Sequence, residues 1–420
     1  MPFKLVPAIS EQVQNVLIRN KDTLNDHALD WWQKSSLFEI DSALLSAYYL
    51  YMRCGDDFNN FRQQINFPSD KLFIIDSGGY EILSRQNTTD KSHLQVLKNL
   101  DQLKVLRIQE AVADIGFILD RPPFITTVNE DGSKEFLIHK QDFFDSAKEF
   151  TANNTHIALA NRSPNSKLKL YGVLQGYEHS HLEDWYNTMK QYPVDGWALA
   201  PKPLGDYFNL AMYISFVLER GITVPLHFLG STNFNCLALI IYLLRKDKNN
   251  IPYYPSLLTA DSTSHDTGAK YRRYNINGSY QIIIGQIEDV YEQDLLTGRM
   301  ILKTAKNSQT IPLDSLPCDC PICQNTTPDI MRSASNTGSI AVSLHNLYLQ
   351  KSTVKILTSL IAHPETYKDY VLSSIKNKSV ASDISRFFTL IDDIIAYKRN
   401  YTTTKTSWLE ETTEAQDLFA

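Results

Sequence analysis

Short apolar runs punctuate the first two-thirds of the chain, and each ends in a polar residue or a glycine. They cover residues 71–76, 115–120, 168–175, 196–200, 226–230 and 254–261. Runs this short and this continuously apolar predict strands buried on both faces, as in a parallel sheet. Between them lie stretches of helical character, at 92–112, 181–191, 205–220 and 233–246. Strand alternating with helix predicts an α/β fold. Six or more such units in one chain favour a (β/α)8, TIM-like barrel over an open sheet. In a barrel the functional groups sit at the C-terminal ends of the strands. Asp76, Asp120, Gln175 and Asp261 fall at those ends.

Beyond Asp261 the pattern changes. Residues 279–285 and 299–302 read as antiparallel strands of an insertion. Residues 383–399 carry Ile384, Phe387, Phe388, Ile391, Ile394 and Ile395 at the spacing of one helical face, which predicts a helix packed on the body. Ser382 is the expected N-cap. Residues 401–420 are polar and rich in Thr and Glu, the composition of a loose tail. The expected organisation is a catalytic barrel over 1–311 with a small β insertion near 279–303. A zinc-binding subdomain with the last barrel elements follows over 312–350, and a C-terminal helical segment over 351–420.

Length and composition narrow the class. The chain has 420 residues, 43% hydrophobic and 21% charged, with a net charge of −6. That is ordinary globular composition. The overall charge does not announce a nucleic-acid binder, although a local basic face is sufficient for one. The apolar run at 236–244 falls well short of the roughly 20 residues that a spanning helix needs, so no transmembrane segment is expected. Three of the five cysteines crowd together as Cys318, Cys320 and Cys323, and His345 follows. Three thiolates and an imidazole make a complete tetrahedral zinc set. With four protein ligands the shell is closed, so such a zinc is structural. The competing reading is three unrelated loop cysteines. A thiolate metal site without a secretory signal suggests a reducing, cytoplasmic setting.

The strand ends supply the candidate chemistry. Asp76-Ser77-Gly78-Gly79-Tyr80 follows an apolar run, and its two glycines allow a tight turn and close backbone approach to a ligand. The same residues are also common turn vocabulary. Asp261 could instead cap a helix, Asp120 could pair with Arg121, and Gln175-Gly176 could satisfy loop backbone. Three carboxylates and an amide at successive strand tips converge on one pocket if the barrel forms. Two carboxylates facing a sugar support displacement at C1′ through a covalent glycosyl intermediate. An Asp and a Gln together can read the edge of a purine while Tyr80 stacks on its face.

Taken together, the zinc set and the aspartate set resemble the tRNA-guanine transglycosylase family over roughly residues 72–349. The resemblance implies a (β/α)8 barrel with a zinc subdomain inserted near its C-terminal end. It also implies covalent exchange of guanine in a nucleic acid for a 7-deazaguanine. By motif, Asp261 is similar to the nucleophile on C1′ and Asp76 to the general acid/base. Tyr80 is similar to the base-stacking residue, Asp120 and Gln175 to the base-reading pair, and Ser77, Gly78, Gly79 and Gly176 to the surrounding substrate contacts. Cys318, Cys320, Cys323 and His345 match the zinc ligands.

The departures have a direction of their own. Glu81 stands where the family usually has Gln, Tyr177 where a second glycine usually follows Gln-Gly, and a base-binding Gly-Gly-Leu segment is replaced near 198–203. The Pro-Thr-Arg stretch that follows the nucleophile in tRNA enzymes is absent from 262–274, and no tRNA-binding domain is evident after the zinc region. These changes look more like the DNA-modifying, DpdA-type branch. Lys270, Arg272 and Arg273, interleaved with Tyr271 and Tyr274, suit phosphates and bases, though a solvated surface strand has the same composition. The resemblance therefore implies a DNA guanine transglycosylase that uses 7-cyano-7-deazaguanine and one structural Zn2+. A tRNA enzyme with an atypical surface and a non-catalytic partner subunit are the alternatives. A helper ATPase is a candidate partner.

Overall fold

Eight short parallel strands close into a barrel. They are Phe3–Pro7 (β1), Ser42–Ser46 (β2), Leu72–Asp76 (β3), Ile115–Phe117 (β4), Lys169–Gly176 (β5), Gly196–Pro201 (β6), Leu226–Phe228 (β7) and Leu258–Ser262 (β8). Neighbours run in the order β1-β8-β7-β6-β5-β4-β3-β2. A parallel bridge between Ala8 and Leu44 brings β1 back to β2, with Ile9 N–H donating to Leu44 O at 2.8 Å. The computed structural model describes residues 3–9, 39–85, 88–123, 125–128, 134–137, 141–201, 206–247, 250–262, 265, 273–276, 280–283, 291–293, 300–302, 318–332 and 336–396.

All six apolar runs become barrel strands. The sequence reading missed β1 and β2, which are five residues each and lack a long apolar stretch. The run at 115–120 is strand only as far as Phe117, so Asp120 lies three residues out in the loop.

The pleat separates two cores. Val6, Leu44, Ile74, Phe117, Tyr171, Val173 and Ala198 form the cluster inside the barrel. Leu5, Leu45, Phe73, Ile75, Leu174, Leu199, Phe228 and Ala260 face the other way, into the layer shared with the helices. Counting by twos from the inner set along β3 and β5 brings Asp76 and Gln175 to the interior at the strands' C-terminal ends. On β7 and β8, Leu226, Phe228, Leu258 and Ala260 belong to the outer layer, so His227 and Asp261, each one step along the pleat, point inward.

Several helices begin where a side chain caps them. The expected helix over 92–112 is two, Lys91–Asn99 and Gln102–Val112. Asp101 Oδ1 accepts from Lys104 N–H at 2.8 Å and starts the second. Asp206 caps Tyr207–Glu219 and Asn233 caps Phe234–Tyr242 in the same way. Helix His179–Met189 lies where 181–191 predicts one.

Antiparallel pairing does occur past the barrel. Tyr280–Ile283 pairs with Arg273–Ile276, and Met300–Leu302 with Tyr291–Gln293. A further hairpin, Ile125–Val128 with Lys134–Leu137, follows β4 and was not foreseen. Three helices close the described chain: Asn336–Leu360, Pro364–Ser374 and Lys378–Ala396. The last carries Ile384, Phe387, Phe388, Ile391 and Ile394 buried, as its periodicity predicts. Ser382 is not its cap, because the helix starts four residues earlier and Asn377 Oδ1 accepts from Ser379 N–H at 2.9 Å. Asp392 fastens this helix to the barrel layer. It accepts from the Tyr242 and Tyr253 hydroxyls at 2.9 and 3.0 Å, from Arg245 at 2.7 Å and from Lys368 at 3.0 Å. Residues 401–420 lie outside the described residues. Among the described residues no helix is long and apolar enough to cross a membrane.

Candidate active site and metal centre

The turn after β3 is shaped by two glycines. Gly78 sits at φ +83°, and a Cβ there would lie 2.6 Å from Tyr48 Cβ. A Cβ on Gly79 would lie 2.3 Å from Asp120 O and 2.7 Å from Asp120 Oδ1. The close approach that Gly79 permits is therefore to the Asp120 loop. The turn presents Asp76 on one side, where its Oδ1 accepts from Ser77 N–H at 2.7 Å. Tyr80, in the first turn of helix Gly79–Ser84, is 55% exposed, which leaves its ring face free to stack.

Asp120 is held from three directions. Its Oδ1 accepts from the buried Ser77 hydroxyl at 3.1 Å, and its Oδ2 accepts from Gln175 Nε2. The loop behind it is clamped at Leu119, whose N–H donates to Gln102 Oε1 at 2.7 Å and whose carbonyl accepts from Asn154 Nδ2 at 2.8 Å. Asp120 is not paired with its neighbour Arg121, whose guanidinium lies over the Phe150 ring at 4.5 Å. Gly176 backs onto helix His179–Met189, and its carbonyl accepts from the Tyr213 hydroxyl at 3.0 Å.

Asp261 is buried at the end of β8. Among the described residues its carboxylate caps no helix. Its Oδ1 lies 2.9 Å from His227 Nε2 and accepts from Gly230 N–H at 3.1 Å. His227 is a site residue that the sequence reading passed over. The available signal was a lone imidazole between two apolar residues of a strand, at an inward position.

Crowded acids raise one another's proton affinity. Burial, followed by the Glu81, Asp120 and Asp261 carboxylates, pushes Asp76 well above the ordinary carboxylate range, while the Ser77 N–H pulls it part of the way back. Burial also raises Glu81, while its own backbone and the Ser46 hydroxyl pull it part of the way back. Asp120 is pushed up to about 6 by burial, against the Ser77 and Gln175 hydrogen bonds that favour its charged form. Burial and the neighbouring carboxylates thus push Asp76 toward its protonated form, beside Asp120, which is raised to about 6. That combination suits general acid/base work.

Cys318, Cys320, Cys323 and His345 also come together. Their ligand atoms all lie within 4.8 Å of one another, and this group could hold a metal ion. His345 Nδ1 is 3.3 Å from both Cys320 Sγ and Cys323 Sγ. A tetrahedral zinc with Zn–S of ~2.3 Å and Zn–N of ~2.0 Å sets sulfur and nitrogen roughly 3.5 Å apart, so the donors fit it. Cys320 N–H and Cys323 N–H donate to the sulfurs of Cys318 and Cys320, each at 3.4 Å. The Cys320, then Cys323, thiol groups hold the Cys318 thiol far below its ordinary value, which favours the metal-binding thiolate. His345 belongs to helix Asn336–Leu360. The next residue, Asn346, donates from Nδ2 to His265 O at 3.2 Å, four residues past Asp261. The metal centre is thereby linked to the segment after β8.

Lys270 and Arg272 lie outside the described residues, as do 202–205. Arg273 opens strand Arg273–Ile276. No protein-family model matches the chain, and no curated protein matches it either.

Proposed function

We propose that the chain is a transglycosylase that exchanges guanine in DNA for a 7-deazaguanine base, with 7-cyano-7-deazaguanine as the incoming base. One observation carries the reading. Asp261, fastened through a single oxygen, shares a site with Asp76, whose proton affinity is raised by burial and neighbouring carboxylates, and with a preformed Asp120–Gln175 pair.

In the first step an Asp261 carboxylate oxygen attacks C1′ and forms a glycosyl ester. The bond from C1′ to guanine N9 breaks, and Asp76 gives its proton to the departing base. In the second step Asp76 takes the N9 proton of the incoming base. That nitrogen attacks C1′, the ester bond breaks, and Asp261 regains its charge. Two displacements on one carbon retain its configuration. Guanine and 7-deazaguanines share N1–H and N2–H donors. The ionised Asp120 accepts these, with the Gln175 amide beside it and Tyr80 stacked on the ring. A zinc ion held by Cys318, Cys320, Cys323 and His345 would tie the cysteine turn to helix Asn336–Leu360 and leave the chemistry to the barrel. The basic, aromatic segment at 270–274 supports DNA as the acceptor, and a duplex would have to flip its guanine out at a cost of a few kcal/mol.

The test is base exchange by purified protein. Labelled 7-cyano-7-deazaguanine is offered with plasmid DNA in one reaction and with total tRNA in another. Label is expected in DNA alone. Asp261→Ala should form no covalent protein–DNA adduct, and Asp76→Ala should stop turnover. Label confined to tRNA would replace the proposed acceptor, and normal exchange by either variant would refute the assigned roles.

A further inference from the structure

The environment of Asp261 is asymmetric, and the asymmetry traces to His227. This imidazole is fully buried, with its ring against Phe117 at a centroid distance of 4.7 Å. Nδ1 lies 2.8 Å from the Thr259 hydroxyl, and Nε2 lies 2.9 Å from Asp261 Oδ1. Thr259 is the register partner of His227 on the neighbouring strand and stands two residues before Asp261 on the same inward face. With Nε2–H directed at Asp261, Nδ1 accepts from the Thr259 O–H, which then turns from Leu226 O, 3.2 Å away. Gly230 N–H donates to the same Asp261 Oδ1 at 3.1 Å. Among the described residues none donates to Oδ2.

We infer that His227 is a positioning residue for Asp261: with Gly230 N–H it fastens Oδ1, leaves Oδ2 to attack C1′, and eases departure of the carboxylate in the second step. The inference rests on the reading of Asp261 as nucleophile. When Oδ2 forms the ester, Oδ1 becomes the ester carbonyl oxygen and still faces both donors. When the ester bond to C1′ breaks, its electron pair returns to the carboxylate, and half of that charge falls on Oδ1. Donors already aimed at the atom where charge develops lower the barrier without reorganisation. No proton needs to leave His227, because Nε2–H donates throughout. Thr259 holds the other side of the ring, so the imidazole cannot turn away.

A role in departure differs from a role in folding in what it does to the intermediate. Loss of packing alone would lower adduct formation and release together. Loss of the Nε2–H donor slows release selectively, so the adduct accumulates. The experiment follows a labelled guanine-containing DNA strand through single turnover, with the covalent adduct trapped by denaturation and then chased with 7-cyano-7-deazaguanine. His227→Phe keeps a ring against Phe117 and removes the donor. Its adduct is expected to decay about ten- to a hundred-fold more slowly than wild type and to stand at a higher level. His227→Gln, which restores an N–H donor, should release within a few-fold of wild type. If the phenylalanine variant fails to fold, Thr259→Val carries the test. It keeps the side-chain shape, removes the Nδ1 partner, and is expected to slow release several-fold. Wild-type release from the variant tested overturns the inference and leaves Asp261 as nucleophile. Absence of any adduct from the wild-type protein, with DNA and with tRNA, overturns both.

Discussion

Replacing Asp120 with Asn isolates one buried charge. In the folded chain burial pushes this carboxyl from its ordinary 3.8 up to about 6, with the Ser77 hydroxyl, its own backbone and the Gln175 amide pulling the other way. Between those two values the folded chain keeps a proton that the unfolded chain has released. Stability from this group therefore falls as pH rises through that window and reaches its full penalty above about 6. Moving from 3.8 to about 6 corresponds to about 3 kcal/mol at about 1.36 kcal/mol per tenfold change. Asp120 is only partly buried, and water there reduces the expected figure to about 1–2 kcal/mol. Asn cannot ionise, and the Gln175 amide can rotate to offer it an oxygen. Asp120→Asn should therefore gain about 1–2 kcal/mol on wild type between about pH 4.5 and 7.5. Urea unfolding of both proteins at steps across that range measures the difference, in which the other titrating groups cancel. A difference that stays constant with pH refutes the reasoning. The same ionisation bears on activity. Under the proposed function the carboxylate is the form that accepts from N1–H and N2–H, so base binding by wild type should rise as pH passes about 6, and Asp120→Asn should bind weakly throughout.

Gly79→Ala would drive a methyl to 2.3 Å from the Asp120 carbonyl oxygen, which only a backbone shift can relieve. The expected cost is about 1–3 kcal/mol in urea unfolding, with weaker base binding by calorimetry; a variant unchanged in both would show that the two loops do not depend on each other. Cys320→Ser removes a thiolate from the metal group, so bound zinc measured by elemental analysis should fall from one per chain toward none, and the Cys318–Cys323 turn should become protease-sensitive. A zinc-free variant with full activity would contradict the structural role.

Much of the architecture could be read along the chain because it depends on local rules. A strand buried on both faces has to be an apolar run, so β3 to β8 stand out. β1 and β2 do not, because five residues such as Ser42–Ser46 acquire their identity from lateral pairing with distant partners. Cys318, Cys320 and Cys323 are legible for the opposite reason, since one tight turn supplies all three thiols. Helix starts were less legible where two caps competed, as Asn377 and Ser382 show.

The residue types of the site, and their place at or just past strand ends, were thus determined by the sequence itself: Asp76, Asp120, Gln175 and Asp261 each close an apolar run, Asp120 three residues beyond its strand. Their relations were decided only by the tertiary structure. Ser77, Asp120 and Gln175 lie 43 and 55 residues apart along the chain, and their bonds exist because β3, the β4 loop and β5 are neighbours in the barrel. His227 becomes the partner of Asp261 because β7 pairs with β8 in the register that sets His227 beside Thr259. A local pattern can specify which way a side chain points, because the pleat has a period of two. Which side chain it meets is set by register and closure, and those are properties of the whole ring.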